Sequence, residues 1–201
     1  EDISNKERWH NVHYQYLCDM MSAYGNNNGA LYIYPIGTTE VARNDATVST
    51  VKVVGIPWGA TSIGTGAFSP STLLERVRLP EGITSFGDSA FNMCKALTKI
   101  RLPDSLVTIG PSAFNQCVSL TEIVIPKNVT TINYYAFANC SALKTVTISK
   151  SVKSIGSDAF SECTKLTDVY YEGTQKAEGI FAAHADEIGE EVLAVQVIKE
   201  A

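Results

Sequence analysis

The sequence predicts an α/β repeat fold, in which similar units stack into a solenoid with a parallel sheet, from three regularities of one 23-residue period. An Ala-Phe pair recurs five times, a leucine follows each phenylalanine by six residues, and two apolar residues follow each leucine. The phenylalanines are Phe68, Phe91, Phe114, Phe137 and Phe160. The pattern runs without a gap from Val53 to Thr167. One such unit cannot bury its apolar face alone, so the units must stack.

Each unit contains one predicted strand that ends in a turn. Its two apolar positions, such as Ile100 and Leu102, are two residues apart, which is the period of a strand with one buried face. With the preceding leucine they form Leu-x-x-Val/Ile-x-Leu/Ile, the core motif of a leucine-rich repeat. A proline after the strand ends the pairing because it has no N–H to donate: Pro57, Pro80, Pro103 and Pro126. A later column predicts turn residues with positive φ: Gly64, Gly87, Gly110, Asn133 and Gly156.

The interior of the stack is predicted to hold a continuous spine of the five phenylalanines and a row of cysteines. The cysteines lie one repeat apart, at Cys94, Cys117, Cys140 and Cys163. A line of thiols does not make the tetrahedron that zinc requires, and parallel Cβ directions disfavour disulfides. We therefore expect buried free thiols that behave as small hydrophobic groups. A fifth cysteine, Cys18, lies outside the repeats.

Both ends of the array are predicted to be capped, because an open end would expose apolar surface. Residues 1–28 read as an N-terminal helical cap, with a capping box from Ser4 to Glu7 and an amphipathic helix over 5–24. Residues 29–52 read as a degenerate first coil and 53–175 as five full repeats plus a closing strand. Residues 176–201 form the C-terminal cap, with a helix beginning near Thr174 and a strand over 191–198 that closes the sheet edge.

Charge argues against nucleic acid as a partner. The net charge is −5 over 201 residues, and residues 29–175, with twelve bases and eleven acids, carry only +1. A nucleic-acid binder needs a basic balance that this stretch lacks. No apolar run is long enough to cross a bilayer. No secretory leader is recognisable in a chain that begins at Glu1, which is compatible with a leader already removed or with residues lying upstream.

The outward positions of the predicted parallel sheet are the candidate binding surface. Four bases fall there on two adjacent units and give way to neutral and acidic residues further along. The partner-binding candidates are Arg76, Arg78, Lys99, Arg101, Glu122 and Tyr170. Like charges one strand apart repel by nearly ~1 kcal/mol in water, so stability alone would not choose this cluster. It predicts a surface for anions or acidic proteins.

The alternative is that acids of the repeats neutralise these bases internally. Glu81 and Asp104 follow Arg78 and Arg101 by three residues, and Glu122 lies one unit beyond Lys99. In that case the array would be an architectural spacer with no binding role on this face.

No pattern in the sequence predicts catalysis, a metal site or a cofactor. The three histidines are His10, His13 and His184, and no third ligand accompanies the first two at a suitable spacing. No phosphate-binding loop, nucleophile elbow or paired-carboxylate pattern occurs. We therefore expect no catalytic residues.

The units resemble the BspA-like class of leucine-rich repeats. The stretch KIRLPDSLVTIGPSAFNQCVSL, residues 99–120, carries the class pattern Ile-Pro-x-x-Val-x-x-Ile-Gly-x-x-Ala-Phe-x-x-Cys-x-x-Leu with leucine at the first position. The resemblance covers 53–167 and continues into LTDVYYEGT, residues 166–174. It implies a right-handed solenoid with a parallel concave sheet and short helical or 3₁₀ convex turns. It also implies bacterial proteins, extracellular or on the cell surface, that adhere to proteins of a host or of neighbouring cells. It supplies no catalytic residues.

Overall fold

The computed structural model describes residues 31–42, 50–172 and the strand at 195–197. These residues contain thirteen strands and no helix. In chain order the strands are β1 Leu31–Ile33, β2 Glu40–Val41, β3 Val53–Gly55, β4 Ser62–Ile63, β5 Arg76–Arg78, β6 Ser85–Phe86, β7 Thr108–Ile109, β8 Glu122–Ile125, β9 Thr131–Ile132, β10 Thr145–Ser149, β11 Ser154–Ile155, β12 Asp168–Glu172 and β13 Val195–Val197.

The strands form parallel ladders that run along the stack, as the repeat predicts. The first ladder consists of two sheets, β1-β3-β5 and β8-β10-β12-β13. The second ladder is the six-stranded sheet β2-β4-β6-β7-β9-β11. Pairing joins equivalent positions of successive repeats: Val54 lies beside Val77, and Val146 beside Val169. Every described pairing is parallel, so successive turns of chain add strands to the same ladders in register.

The phenylalanine spine is confirmed and lies in the core between the ladders. Neighbouring rings stack at centroid distances of 5.0 to 5.4 Å with interplanar angles of 12° or less. The ring of Phe86, from the second ladder, packs edge-on against Phe91 and Phe114. The five spine side chains are 0 to 3% exposed. Each turn therefore places one aromatic ring directly on the ring of the turn before it.

The prediction of short helical or 3₁₀ turns on the convex side is wrong for the described residues. The N–H groups there alternate between two partners. Ala113 donates locally to Gly110, whereas Ser112 and Phe114 donate to Tyr134 and Ala136 of the next turn. Because every second N–H reaches the neighbouring turn, the i→i−3 bonds cannot run on into a helix.

Positive φ angles at two columns also interrupt any helical run. They lie two residues before and two after the spine phenylalanines: Ser89, Met93, Ser112, Gln116, Tyr135, Asn139, Asp158 and Glu162. A residue in the left-handed region ends a right-handed helix.

The glycine column has a different cause from the predicted one. Gly87, Gly110 and Gly156 do not have positive φ. A Cβ atom on Gly110 would lie 2.7 Å from the carbonyl carbon of Gly87, so close contact between successive turns excludes a side chain. The exception, Asn133, donates its side-chain Nδ2–H to the carbonyl oxygen of Ile109 at 2.7 Å. Equivalent carbonyls receive a main-chain bond in other turns, for example Phe86 from the N–H of Gly110.

The two ends of the array differ in how much of them is described. The degenerate first coil contributes β1 and β2, which pair with β3 and β4. The strand expected within 191–198 is present as β13 and pairs with β12. The helices expected over 5–24 and from Thr174 lie outside the described residues. No helix able to cross a bilayer occurs in the described ranges.

Candidate functional site

The candidate site is the outward side of β3, β5, β8, β10 and β12, the face predicted to be concave, here called the ladder face. Along β5 the side chains of Arg76 and Arg78 are exposed and Val77 between them is buried. Lys99 and Arg101 are exposed on either side of the buried Ile100. The same alternation of exposed and buried side chains in both segments puts all four cations on the outer side of the solenoid, on two successive turns.

The two remaining predicted residues lie on the same face, closer to the C-terminal end. Glu122 is exposed at the start of β8, and Tyr170 of β12 is partly exposed. Thr145 pairs with Glu122, and Thr147 pairs with both Val124 and Tyr170. Glu122 and Tyr170 thus belong to one paired sheet, and the four cations precede them on outward positions of the two preceding turns.

Two of the four cations form ion pairs with acids of neighbouring turns. Lys99 Nζ lies 2.7 Å from Glu122 Oε1, and an Arg101 guanidinium nitrogen lies 4.0 Å from Glu81 Oε1. These side chains are 52 to 88% exposed, so each pair contributes only about 0–1 kcal/mol. Arg76 and Arg78 are not free either, because each makes at least one polar or electrostatic contact within the protein.

Asp104 does not neutralise the cluster, because it lies 3.6 Å from Lys127 instead. Internal neutralisation is therefore present at Lys99 and Arg101 but rests on weak, solvent-exposed contacts.

The ladder face is interrupted at the turn that carries Lys99 and Arg101. β5 pairs with β3, and β8 pairs with β10, but the segment 98–103 between them forms no strand. Among the described residues, no main-chain hydrogen bond joins 99–102 to either neighbouring turn. The second ladder continues through these turns without a break, from Phe86 to Ile109 to Ile132. Ile100 and Leu102 are 8% and 6% exposed, against 1% for the equivalent Ile123 and Ile125.

Sequence reasoning did not predict this interruption, and the charge pattern signals only its side toward β5, since Lys99 and Glu122 have opposite charges on the side toward β8. A closed ladder would place Arg76 beside Lys99 and Arg78 beside Arg101. Like charges directly opposite each other oppose strand pairing.

Beyond Arg101 the outward column that contains Val124 is uncharged and partly apolar, whereas the other outward column of β8 and β12 carries the exposed acids Glu122 and Asp168. Val124 is 60% exposed and lies one turn beyond Arg101. Beyond it come Thr147 and Tyr170, both partly exposed. Val124 was not among the predicted site residues; its position two residues after Glu122, in an outward column, was the available signal.

The four cysteines are reduced and buried, and their chemistry is structural. Each thiol donates a hydrogen bond to the carbonyl oxygen of a phenylalanine in the preceding turn, at 3.1 to 3.3 Å. Burial raises the pKa of the Cys94 thiol to about 12 and that of Cys117 well above its ordinary value. A thiol that stays protonated is a poor nucleophile and metal ligand. No group of residues that could hold a metal ion occurs within 31–42 and 50–172. His10, His13 and His184 lie outside the described residues.

Stacked turns with a Leu-x-x-Val/Ile-x-Leu/Ile strand, parallel ladders and a phenylalanine spine define a leucine-rich-repeat solenoid. Within that class, residues 47–174 match the family model described as BspA type leucine rich repeat region, in six copies. The chain belongs to this family.

Solved structures with similar folds come from bacteria. A leucine rich cell surface protein from Faecalibacterium prausnitzii is 35% identical with a TM-score of 0.62, over 64% of this chain and 34% of that one. The leucine rich repeat protein of T. pallidum is 26% identical with a TM-score of 0.67, over 80% and 84%. The pneumococcal vaccine antigen PcpA is 26% identical with a TM-score of 0.57, over 75% and 42%. The match thus spans about a third of the F. prausnitzii protein, and comparison with curated protein sequences gave no match.

Proposed function

We propose that this chain is a non-enzymatic protein-binding module of a bacterial protein that is secreted or displayed on the cell surface, and that it adheres to extracellular or host proteins through the ladder face. The family and the description of the F. prausnitzii relative as a cell surface protein support the location. The observation that carries the binding role is the group of four exposed cations on two successive turns, Arg76, Arg78, Lys99 and Arg101.

The fold does not require these cations. The inward columns hold the core, whereas outward side chains are free to vary without loss of packing. Placing four like charges together opposes strand pairing, and the ladder is interrupted at that point. A cationic surface of this kind attracts partners with acidic surfaces and accelerates their association at low salt.

The test is a double charge reversal, Arg78→Glu with Arg101→Glu, in the full chain. Binding to a panel of purified extracellular proteins with acidic surfaces is measured by biolayer interferometry at two salt concentrations. We expect Kd to rise more than about tenfold, equivalent to ~1.4 kcal/mol. The melting temperature should change little, because these side chains are exposed.

A matched control reverses the same number of charges away from the ladder face, with Lys95→Glu and Lys153→Glu. Both lysines are exposed. This control should retain binding, which separates the ladder face from a general effect of net charge.

A second candidate function is that of an architectural spacer in a longer surface protein. The Lys99–Glu122 and Arg101–Glu81 pairs favour it, because they neutralise part of the cluster within the fold. Under this alternative the double reversal leaves partner binding by the full chain unchanged. That outcome would contradict the binding proposal.

A further inference from the structure

The ladder face changes character within one turn, from a pair of cations to an exposed apolar side chain. Lys99 and Arg101 lie on one turn, and Val124 with 60% exposure lies on the next. Thr147 pairs with Val124, and Tyr170 pairs with Thr147, so an uncharged strip continues for two more turns. The strip runs along the axis of the solenoid, across the strands.

Val124 is the most exposed apolar side chain in the ladders of the described repeats. The equivalent positions on the flanking turns hold Arg101 and Thr147, so neither neighbour supplies an apolar side chain to cover it. Single exposed apolar side chains are common on protein surfaces, so the feature that carries the argument is the place of Val124 next to the cations, where an apolar contact and charge attraction can act on one partner.

We propose that the ladder face recognises an extended acidic segment of a partner protein in which an apolar residue follows the acidic residues. The carboxylates lie against Lys99 and Arg101, and the apolar side chain covers Val124. This inference rests on the proposed function and specifies the kind of sequence that the surface selects.

Charge complementarity selects the acidic part. Within the part of the chain that the structure describes, Lys99 and Arg101 contact the exposed carboxylates of Glu122 and Glu81, at 2.7 and 4.0 Å. Exposed pairs are weak, so carboxylates of a partner can replace them at little cost. When Lys99 turns toward the partner, Glu122 loses its ion pair and remains solvated at the edge of the strip.

Geometry selects an extended segment. Val124, Thr147 and Tyr170 lie on successive paired turns, which are about 4.8 Å apart. An extended residue advances about 3.3 Å, so roughly three residues span the two steps from Val124 to Tyr170. A short segment can therefore reach the cations and the apolar strip together.

The experiment uses fluorescein-labelled peptides and the full chain, read by fluorescence anisotropy. The parent peptide is Gly-Glu-Glu-Glu-Ser-Ile-Ser-Gly. One derivative replaces isoleucine with serine, a second replaces the three glutamates with glutamine, and a third holds the parent residues in scrambled order. We expect the parent to bind at least about tenfold more tightly than each derivative, and to weaken as salt is raised.

Matched variants of the chain test the apolar contact. Val124→Thr keeps shape and strand preference but adds a hydroxyl, and it should reduce parent binding to that of the serine derivative without changing the latter. Val107→Thr is the control, because Val107 is 46% exposed on a column away from the ladder face. It should leave all four peptides unaffected.

The outcomes separate the two proposals. If parent and serine derivative bind alike, or if Val124→Thr does not alter their ratio, the inference about sequence selection is overturned. The proposed function still stands in that case, provided that Arg78→Glu with Arg101→Glu weakens binding of a protein partner. If that double reversal affects neither peptides nor protein partners, both proposals fail.

Discussion

The thiol of Cys117 donates a hydrogen bond to the carbonyl oxygen of Phe91 at 3.3 Å, across 26 residues of chain. The same oxygen accepts the main-chain N–H of Cys94 at 3.1 Å. The carbonyl oxygens of Phe68, Phe114 and Phe137 likewise accept two hydrogen bonds each, one from a main-chain N–H and one from a thiol. The cysteine column therefore ties each turn to the one before it, at a place where water does not reach.

Two substitutions of Cys117 should distinguish how much its volume and its hydrogen bond each contribute to the free energy of unfolding. Cys117→Ala removes the donor and leaves a cavity, and we expect a loss of about 1–3 kcal/mol in the free energy of unfolding. Cys117→Ser keeps a donor, as the first repeat does naturally with the buried Ser71. The serine variant should lose less free energy of unfolding than the alanine variant, as measured by urea denaturation. A serine variant at least as unstable as alanine would show that the hydrogen bond contributes little.

The raised thiol pKa values predict a loss of stability at alkaline pH. The pKa of Cys94 is about 12 in the fold, against 9.0 for an exposed thiol. Between these values the unfolded chain loses the proton and the folded chain keeps it. The free energy of unfolding therefore falls as pH rises above about 9, by up to ~1.4 kcal/mol per pH unit per thiol. Urea melts at pH 7 to 10.5 should show a shallower decline for Cys94→Ala; parallel curves for the two proteins would contradict the assignment.

The middle of the phenylalanine spine should be the most sensitive core position. Phe114 stacks on Phe91 at 5.1 Å and on Phe137 at 5.2 Å. Phe114→Ala should cost about 3–5 kcal/mol. Phe160 lies near the C-terminal end of the spine and is 3% exposed, so Phe160→Ala serves as the comparison and should lower the free energy of unfolding by less. Thermal and urea denaturation measure both, and a loss under about 1 kcal/mol for Phe114→Ala would rule out the spine as a main source of stability.

A methyl group at Gly110 should push two turns apart. Its Cβ would lie within 2.7 to 2.8 Å of the main chain at Gly87 and Asp88. We expect Gly110→Ala to lose more than about 2 kcal/mol. At Gly64 the nearest atoms are 3.1 Å away and one belongs to the movable side chain of Glu40, so Gly64→Ala should cost less. Equal losses in denaturation experiments would indicate that turn spacing is not the reason for this column.

The interruption of the ladder should be visible in amide hydrogen exchange. Ile100 and Arg101 lack the main-chain bonds that Val146 and Thr147 make within their sheet. Their amides should exchange at least about tenfold faster, because fewer hydrogen bonds must open. Phe86 and Ile109 of the second ladder should remain protected. Comparable protection at all of these positions would mean that the ladder closes in solution.

Much of the fold could be predicted because each column of the repeat has one local cause. The spacing of Phe91 and Phe114 required stacked rings, and the apolar alternation of Ile123 and Ile125 required a half-buried strand. The convex turns were predicted to be helical, which was wrong. Whether the N–H of Phe114 bonds within its own turn or to Ala136 of the next depends on how the turns stack, and no local pattern records that.

The candidate site, too, was predictable in part from the sequence. The sequence placed Arg76, Arg78, Lys99, Arg101, Glu122 and Tyr170 on one face, because a period of two fixes which side chains point outward. It left open which acids pair with which bases, since those distances depend on side-chain reach between turns. The structure paired Lys99 with Glu122 and Asp104 with Lys127.

By itself, then, the sequence determined the repeat, the contents of the core and the side of the solenoid on which the cations lie, because all three follow from periodicity and burial. Only the tertiary structure decided that the ladder opens at Lys99 and Arg101 and that glycine is needed at Gly110 for contact between turns. Both depend on the separation of successive turns, which is set by packing and charge acting between residues about 23 positions apart.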